Sequence, residues 1–187
     1  MKPPETVLPN DIRPILPRHA AELMSLRHAA IRQSPAAFGT SPEVELCKTM
    51  GDYRKQLLKI ATRRGECLLG LWKDDKLIGM TGLGRRGKPP EEYALVYSMY
   101  LYPEYRRMGF ARLLLEHCAR FSRDKWNLDQ CRLCVEIHNA AALNLYLGAG
   151  YEIVSREPRA FRMRGTTYDV YHLQRDLTEA PPLESAP

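Results

Sequence analysis

The chain has 187 residues, 28 of them Lys or Arg against 22 Asp or Glu, for a formal charge of +6. That length buries a single core without help from disulfides or metal. An apolar share of 44% with 27% charged residues excludes a collagen-like chain, a coiled coil and a disordered tail protein. No run approaches the roughly 18 consecutive apolar residues of a membrane span, and the opening MKPPETVLPNDIRP lacks the apolar centre of a secretory signal. Five cysteines, an odd number, argue against a disulfide framework and for a reducing compartment. The expectation is a soluble cytoplasmic protein.

Residues 1–10 and 178–187 are Pro-rich and poor in large apolar side chains, which predicts two loose tails around one domain, 11–177. A short strand over 11–16 precedes a helix over 18–33, whose Ala20, Leu23, Met24, Leu26, Ala30 and Ile31 recur at helical spacing. Ser34-Pro35 stops it. A second helix is expected over 52–64, with Gly65 as its C-cap. Two apolar runs around Asp74-Asp75 predict a hairpin. A strand over 93–102 follows, then a helix over 109–125, a strand over 132–137 and a helix over 140–148. Residues 151–163 and 167–177 close the chain as a hairpin around Arg164-Gly165. The order is that of a mixed α/β sheet with helices on its faces.

Cys131 and Cys134 form a lone C-x-x-C within an apparent strand, where residues three apart face opposite ways. With no second pair to complete a zinc site, buried thiols are the simpler reading and no metal is expected. The stretch MYLYPEYRRMGFA (99–111) carries more chemistry. Pro103 ends a strand, and Arg106, Arg107, Met108, Gly109, Phe110, Ala111 and Arg112 open a long amphipathic helix. Unpaired amides and the positive dipole end at such a terminus, with small residues admitting close approach, suit a pyrophosphate. A tight turn with solvated arginines satisfies the same residues.

A second motif decides between these. From Leu133 the chain reads L-x-V-x-x-x-N-x-x-A-x-x-L-Y-x-x-x-G-Y, with Asn139, Ala142, Leu145, Tyr146, Gly150 and Tyr151 at its marked places. Together with Leu101-x-Pro103-x-x-Arg106-x-x-Gly109-x-Ala111, it resembles the GCN5-related N-acetyltransferase (GNAT) superfamily. The resemblance implies a single-domain, mostly antiparallel mixed sheet flanked by helices, with the fourth and fifth strands splayed. It implies acetyl-CoA as acyl donor. Backbone groups of Met99 and Leu101 would pair with the pantetheine arm, and the amides from Arg107 to Ala111, helped by Arg106 and Arg112, would hold the pyrophosphate. Asn139, on the fifth strand, would bond the pantetheine chain. Tyr146 stands where many members carry the acid that protonates the leaving thiolate, although a helix aromatic packed on the sheet fits the position too.

The implied reaction is acetyl transfer to a primary amine by direct attack, without metal. The acceptor is expected to be a small molecule, with a protein N-terminal or lysyl amine as the alternative, and a CoA-binding module without catalysis as another. An amine attacks only after losing a proton. Some lysine-acetylating members carry a Glu on the fourth strand where this chain has Leu95, so no base is assigned. Glu91, Glu92 and Glu136 are candidates through water, and His138 reads as a loop residue. The substrate pocket is expected between the first two helices and the last hairpin, lined by Phe38, Tyr97, Tyr168 and His172. Positive charge spread along the chain, rather than clustered, predicts no nucleic-acid partner. No membrane partner is expected, and a homodimer is compatible with the fold.

Overall fold

A computed structural model describes residues 11–178. Its elements, in chain order, are β1 (Asp11–Pro14), α1 (Ala20–Gln33), α2 (Pro42–Leu46), α3 (Met50–Thr62), β2 (Glu66–Lys73), β3 (Lys76–Arg86), β4 (Tyr93–Leu101), α4 (Phe110–Trp126), β5 (Gln130–Glu136), α5 (Ala140–Gly148), β6 (Glu152–Met163) and β7 (Thr166–Asp176). The expected tails, Thr178 apart, lie outside the described residues.

Local chemistry accounts for most boundaries. Thr49 and Asp52 exchange side-chain and backbone bonds in a capping box that starts α3. Asp74 and Asp75 both adopt positive φ, 49° and 59°, as a two-residue turn between antiparallel strands requires. The left-handed Asn127 ends α4. The element missed in the sequence is α2. Five residues are too few for a periodic pattern, and tertiary contacts hold them, chiefly through the buried Glu45.

The seven strands lie in the order β1-β2-β3-β4-β5-β7-β6. Every pairing is antiparallel except β4 with β5, whose connection through α4 supplies the crossover that a parallel pair needs. Alternating side chains bury both faces. Leu68, Trp72, Met80 and Tyr100 pack with Leu23, Leu26, Tyr53 and Leu57 of α1 and α3. On the other face Leu83, Leu133 and Val135 pack with Leu115, Cys118 and Ala119 of α4. Leu71, Ile78 and Leu101 there meet Phe110 and Leu114.

Candidate active site

The sheet is split at its centre. β4 and β5 pair only at Ala94↔Cys131 and Leu95↔Arg132, then part. The cause lies in β4, where the register against β3 slips between Met80 and Gly82 and Ser98 takes φ 53°. Such a bulge adds an unpaired residue and bends its strand. Tyr102 donates its amide to the Ile78 carbonyl of β3. Successive residues turn their backbone groups to opposite edges, so Leu101 and Met99 present theirs toward the opening between β4 and β5.

Beyond the split, Arg107 at φ 61° and Gly109 at φ 79° fold the chain back into α4. α3 and α5 are capped by side chains; α4, which starts from Gly109, is not. A Cβ built on Gly109 meets nothing within 4 Å, so the start of α4 is open at Gly109 rather than walled by side chains. Phe110 is anchored in the core by its ring, while Ala111 packs on the same cluster. Met108 is 49% exposed, and Arg107 and Arg112 are exposed.

Arg106 behaves differently from the sequence expectation. Its guanidinium donates to the Leu101 carbonyl at 3.0 Å and to Gln33 Oε1 at 2.8 Å, and lies over the Tyr100 ring. It braces the turn against β4 and α1 instead of standing free at the mouth, and it occupies part of the Leu101 carbonyl's accepting capacity. Asn139 also moves: β5 ends at Glu136, and Asn139 is the N-cap of α5, its Oδ1 accepting from Ala142 N at 3.2 Å. Its side-chain NH2 remains the group available to a ligand.

Tyr146 projects from α5 against the core, edge-on to Tyr151 at 6.2 Å between ring centres. Burial, with the nearby Cys134 thiol, pushes its pKa up to about 12, so the phenol stays protonated at any physiological pH. That suits a proton donor.

The four expected pocket residues do not converge. Phe38 packs on Tyr100 and under Arg27. Tyr97 donates its hydroxyl to Glu66 at 3.0 Å, and Tyr168 stacks on Phe161. His172 alone faces the opening side of β5, on the strand beside it. Glu91 and Glu92 precede β4 by enough strand, about 20 Å to Met99, to remove them as bases, and Glu92 is paired with Arg85. Glu136 accepts from the His138 amide at 2.9 Å.

What the sequence did not reveal is how this side is walled. The turn Pro35–Phe38 lies against β5. Glu43 of α2 is clasped by the Arg164 guanidinium at the tip of the β6–β7 hairpin. Behind them Glu45, 1% exposed, accepts from Arg27 Nε (3.1 Å), Lys48 Nζ (2.6 Å) and the Tyr53 hydroxyl (3.0 Å). Arg27 also reaches Ser98 at the bulge, 3.3 Å away. The separation of Glu43 from Arg164 by 121 residues left no local signal.

A sheet split between a bulged strand and its parallel neighbour, with an open helix terminus beside it, is the architecture of acyl-CoA-dependent acetyltransferases. The chain matches the family model described as acetyltransferase (GNAT) family over residues 24–151, and it belongs to that family. It is 35% identical to the N-alpha-acetyltransferase RimI of Mycobacterium tuberculosis (strain ATCC 25618 / H37Rv) over 101 residues, 54% of this chain and 60% of that one. It is 32% identical to the N-alpha-acetyltransferase daf-31 of Caenorhabditis elegans over 90 residues, 48% of each chain. The match therefore spans roughly half the length of these relatives. Among solved structures, a spermidine N-acetyltransferase from Vibrio cholerae, in complex with CoA and spermine, superposes with a TM-score of 0.77 at 20% identity, covering 90% of this chain and 95% of that one. A ribosomal-protein-alanine N-acetyltransferase from Brucella melitensis gives 0.74 at 20% identity, covering 89% and 99%. These likenesses are of fold.

Proposed function

We propose that this protein transfers an acetyl group from acetyl-CoA to a primary amine by direct attack, with a small-molecule amine as acceptor. The observation that carries the reading is the uncapped, unobstructed N-terminus of α4 beside the β4–β5 split. A pyrophosphate would sit at this terminus, which no side chain caps and which is open at Gly109, with the Arg107 and Arg112 side chains exposed nearby. Arg106 serves by holding this turn. Met99 and Leu101 would take the pantetheine arm along the free edge of β4, and the Asn139 side-chain NH2 would donate to it. When bound, acetyl-CoA supplies a thioester carbonyl in the split. The Met99 amide, turned toward that opening by the bulge, stabilises negative charge developing on the carbonyl oxygen, a role worth roughly 3 kcal/mol in other enzymes. Tyr146 protonates the departing sulfur. Of the two thiols expected to be buried, Cys131 is and Cys134 is exposed; partial desolvation and the Glu157 carboxylate still raise the Cys134 thiol above its ordinary pKa, which disfavours a thiolate nucleophile and supports direct attack.

A second acceptor, the α-amine of a polypeptide, is favoured by the relatives RimI and daf-31, both described as N-alpha-acetyltransferases. Calorimetric titration with CoA tests the cradle, and no heat of binding overturns the reading. Release of free CoA thiol from acetyl-CoA with spermidine, against an alanine-initiated peptide, separates the two acceptors: turnover of spermidine alone supports the first, of peptide alone the second.

A further inference from the structure

Beside Glu136, a base candidate from sequence that stays on this side of the sheet, the fold places a titratable pair on its last hairpin. On β5, Cys131, Leu133 and Val135 are buried against α4, so Cys134 and Glu136 face the other way, toward the side walled by Pro35–Phe38 and α2. Cys134 is directly opposite His172 on β7, and Glu136 is opposite Val170. Residues directly opposite share a face, so His172 stands on that same floor. On the outer strand β6, Ser155 is opposite His172 and Glu157 opposite Val170. Glu157 thereby reaches His172 diagonally: its Oε2 is 2.7 Å from His172 Nε2. A carboxylate on one ring nitrogen orients an imidazole and leaves the other nitrogen to accept a proton. The floor is reachable, since the His172 and Glu157 side chains are 42% and 53% exposed. The clasp of Arg164 on Glu43 ties the tip of this hairpin to α2.

We propose that His172 is the general base that deprotonates the acceptor amine, and that Glu157 is its positioning residue. The inference rests on the acetyltransferase reading. With Nε2–H donated to Glu157, Nδ1 takes a proton from the ammonium, directly or through one water. The freed lone pair forms the C–N bond at the thioester carbonyl, the C–S bond breaks, and the sulfur takes the Tyr146 hydroxyl proton. Nitrogen sheds its second proton to solvent, which restores Tyr146, and the imidazolium discharges to solvent. One ammonium and one thioester yield one amide, one thiol and one proton. The charged or titratable groups facing His172 are Cys134 and, one pleat along, Glu136 on β5, and Glu157 on β6. Two carboxylates on this floor also suit a cationic acceptor.

The test is steady-state kinetics of the full chain and of His172→Gln and Glu157→Gln. Acceptors are n-butylamine, spermidine and an alanine-initiated peptide, with hydrolysis of acetyl-CoA by water read alongside because it needs no acceptor. His172→Gln is expected to lower kcat about a hundredfold or more, with CoA affinity by calorimetry unchanged. Glu157→Gln is expected to lower kcat while leaving KM for the acceptor unchanged, since the ring loses the carboxylate that orients it; loss of packing alone does not split kcat from KM. A rate within a few-fold of the parent in His172→Gln overturns the assignment. Absence of CoA binding in the unaltered protein overturns the acetyltransferase reading itself, a result distinguishable from the first.

Discussion

Gly109 is held at φ 79° with free space where a Cβ would project, and both facts bear on its substitution. A left-handed conformation costs an L-residue roughly 1–2 kcal/mol, and a branched side chain would fill the space proposed for phosphate. Gly109→Ala is therefore expected to lower Tm modestly, while Gly109→Val also weakens CoA binding at least tenfold by calorimetry, about 1.4 kcal/mol. Tyr146→Phe should lower kcat by ten- to a hundredfold with CoA affinity unchanged; equal losses in both would assign the phenol to binding. Burial also sets an alkaline limit to stability. It raises the Cys67 thiol from 9.0 to about 11 and the Tyr146 phenol from 10.0 to about 12. A raised folded pKa means that stability is complete below the unfolded value and declines as pH rises through the folded one. Urea midpoints should thus be flat up to about pH 9 and fall between 9 and 12. The motif residues from Arg106 to Ala111 and Tyr146 were legible because their neighbours in sequence define them. The direction of the Arg106 guanidinium was not, because its partners are Leu101 and Gln33.

At the scale of elements, α2 shows how a five-residue helix survives. Glu45 is buried, and burial alone would raise its carboxyl; hydrogen bonds and charge from Lys48 and Arg27, with the Tyr53 hydroxyl, hold it below its ordinary value instead. Removing one partner of a buried ion pair strands the other. Glu45→Ala, which leaves Arg27 beside Ser98 without its carboxylate, is expected to destabilise the protein by about 3–5 kcal/mol in urea unfolding. Because the folded pKa is depressed, that contribution is present above about pH 4.5 and is lost in acid. The clasp between Arg164 and Glu43 lies on the surface, where such pairs add little stability. Arg164→Ala should accordingly leave Tm nearly unchanged while raising KM for the acceptor, since it frees the hairpin tip from α2. The long elements were readable from periodicity, including the β2–β3 hairpin at Asp74-Asp75 and α5 over its full extent. α2 was not, because what forms it comes from α1 and α3.

For the whole molecule, the two faces of one sheet carry separate packed clusters, so a defect on either side is felt globally. Leu133 is buried between β5 and α4, and Leu133→Ala should cost about 2–5 kcal/mol by the cavity it leaves. The amino-acid sequence by itself determined the fold class, the two motifs and the turn that opens α4, because helical and strand periods and capping chemistry act over a few residues. Only tertiary structure decided the rest. The split between β4 and β5 arises from a bulge registered against β3, the tie of α2 to the last hairpin from residues 43 and 164 meeting across the chain, and the pairing of His172 with Glu157 from strand register. Long-range register depends on how side chains pack across strands far apart in sequence, and no local pattern encodes it.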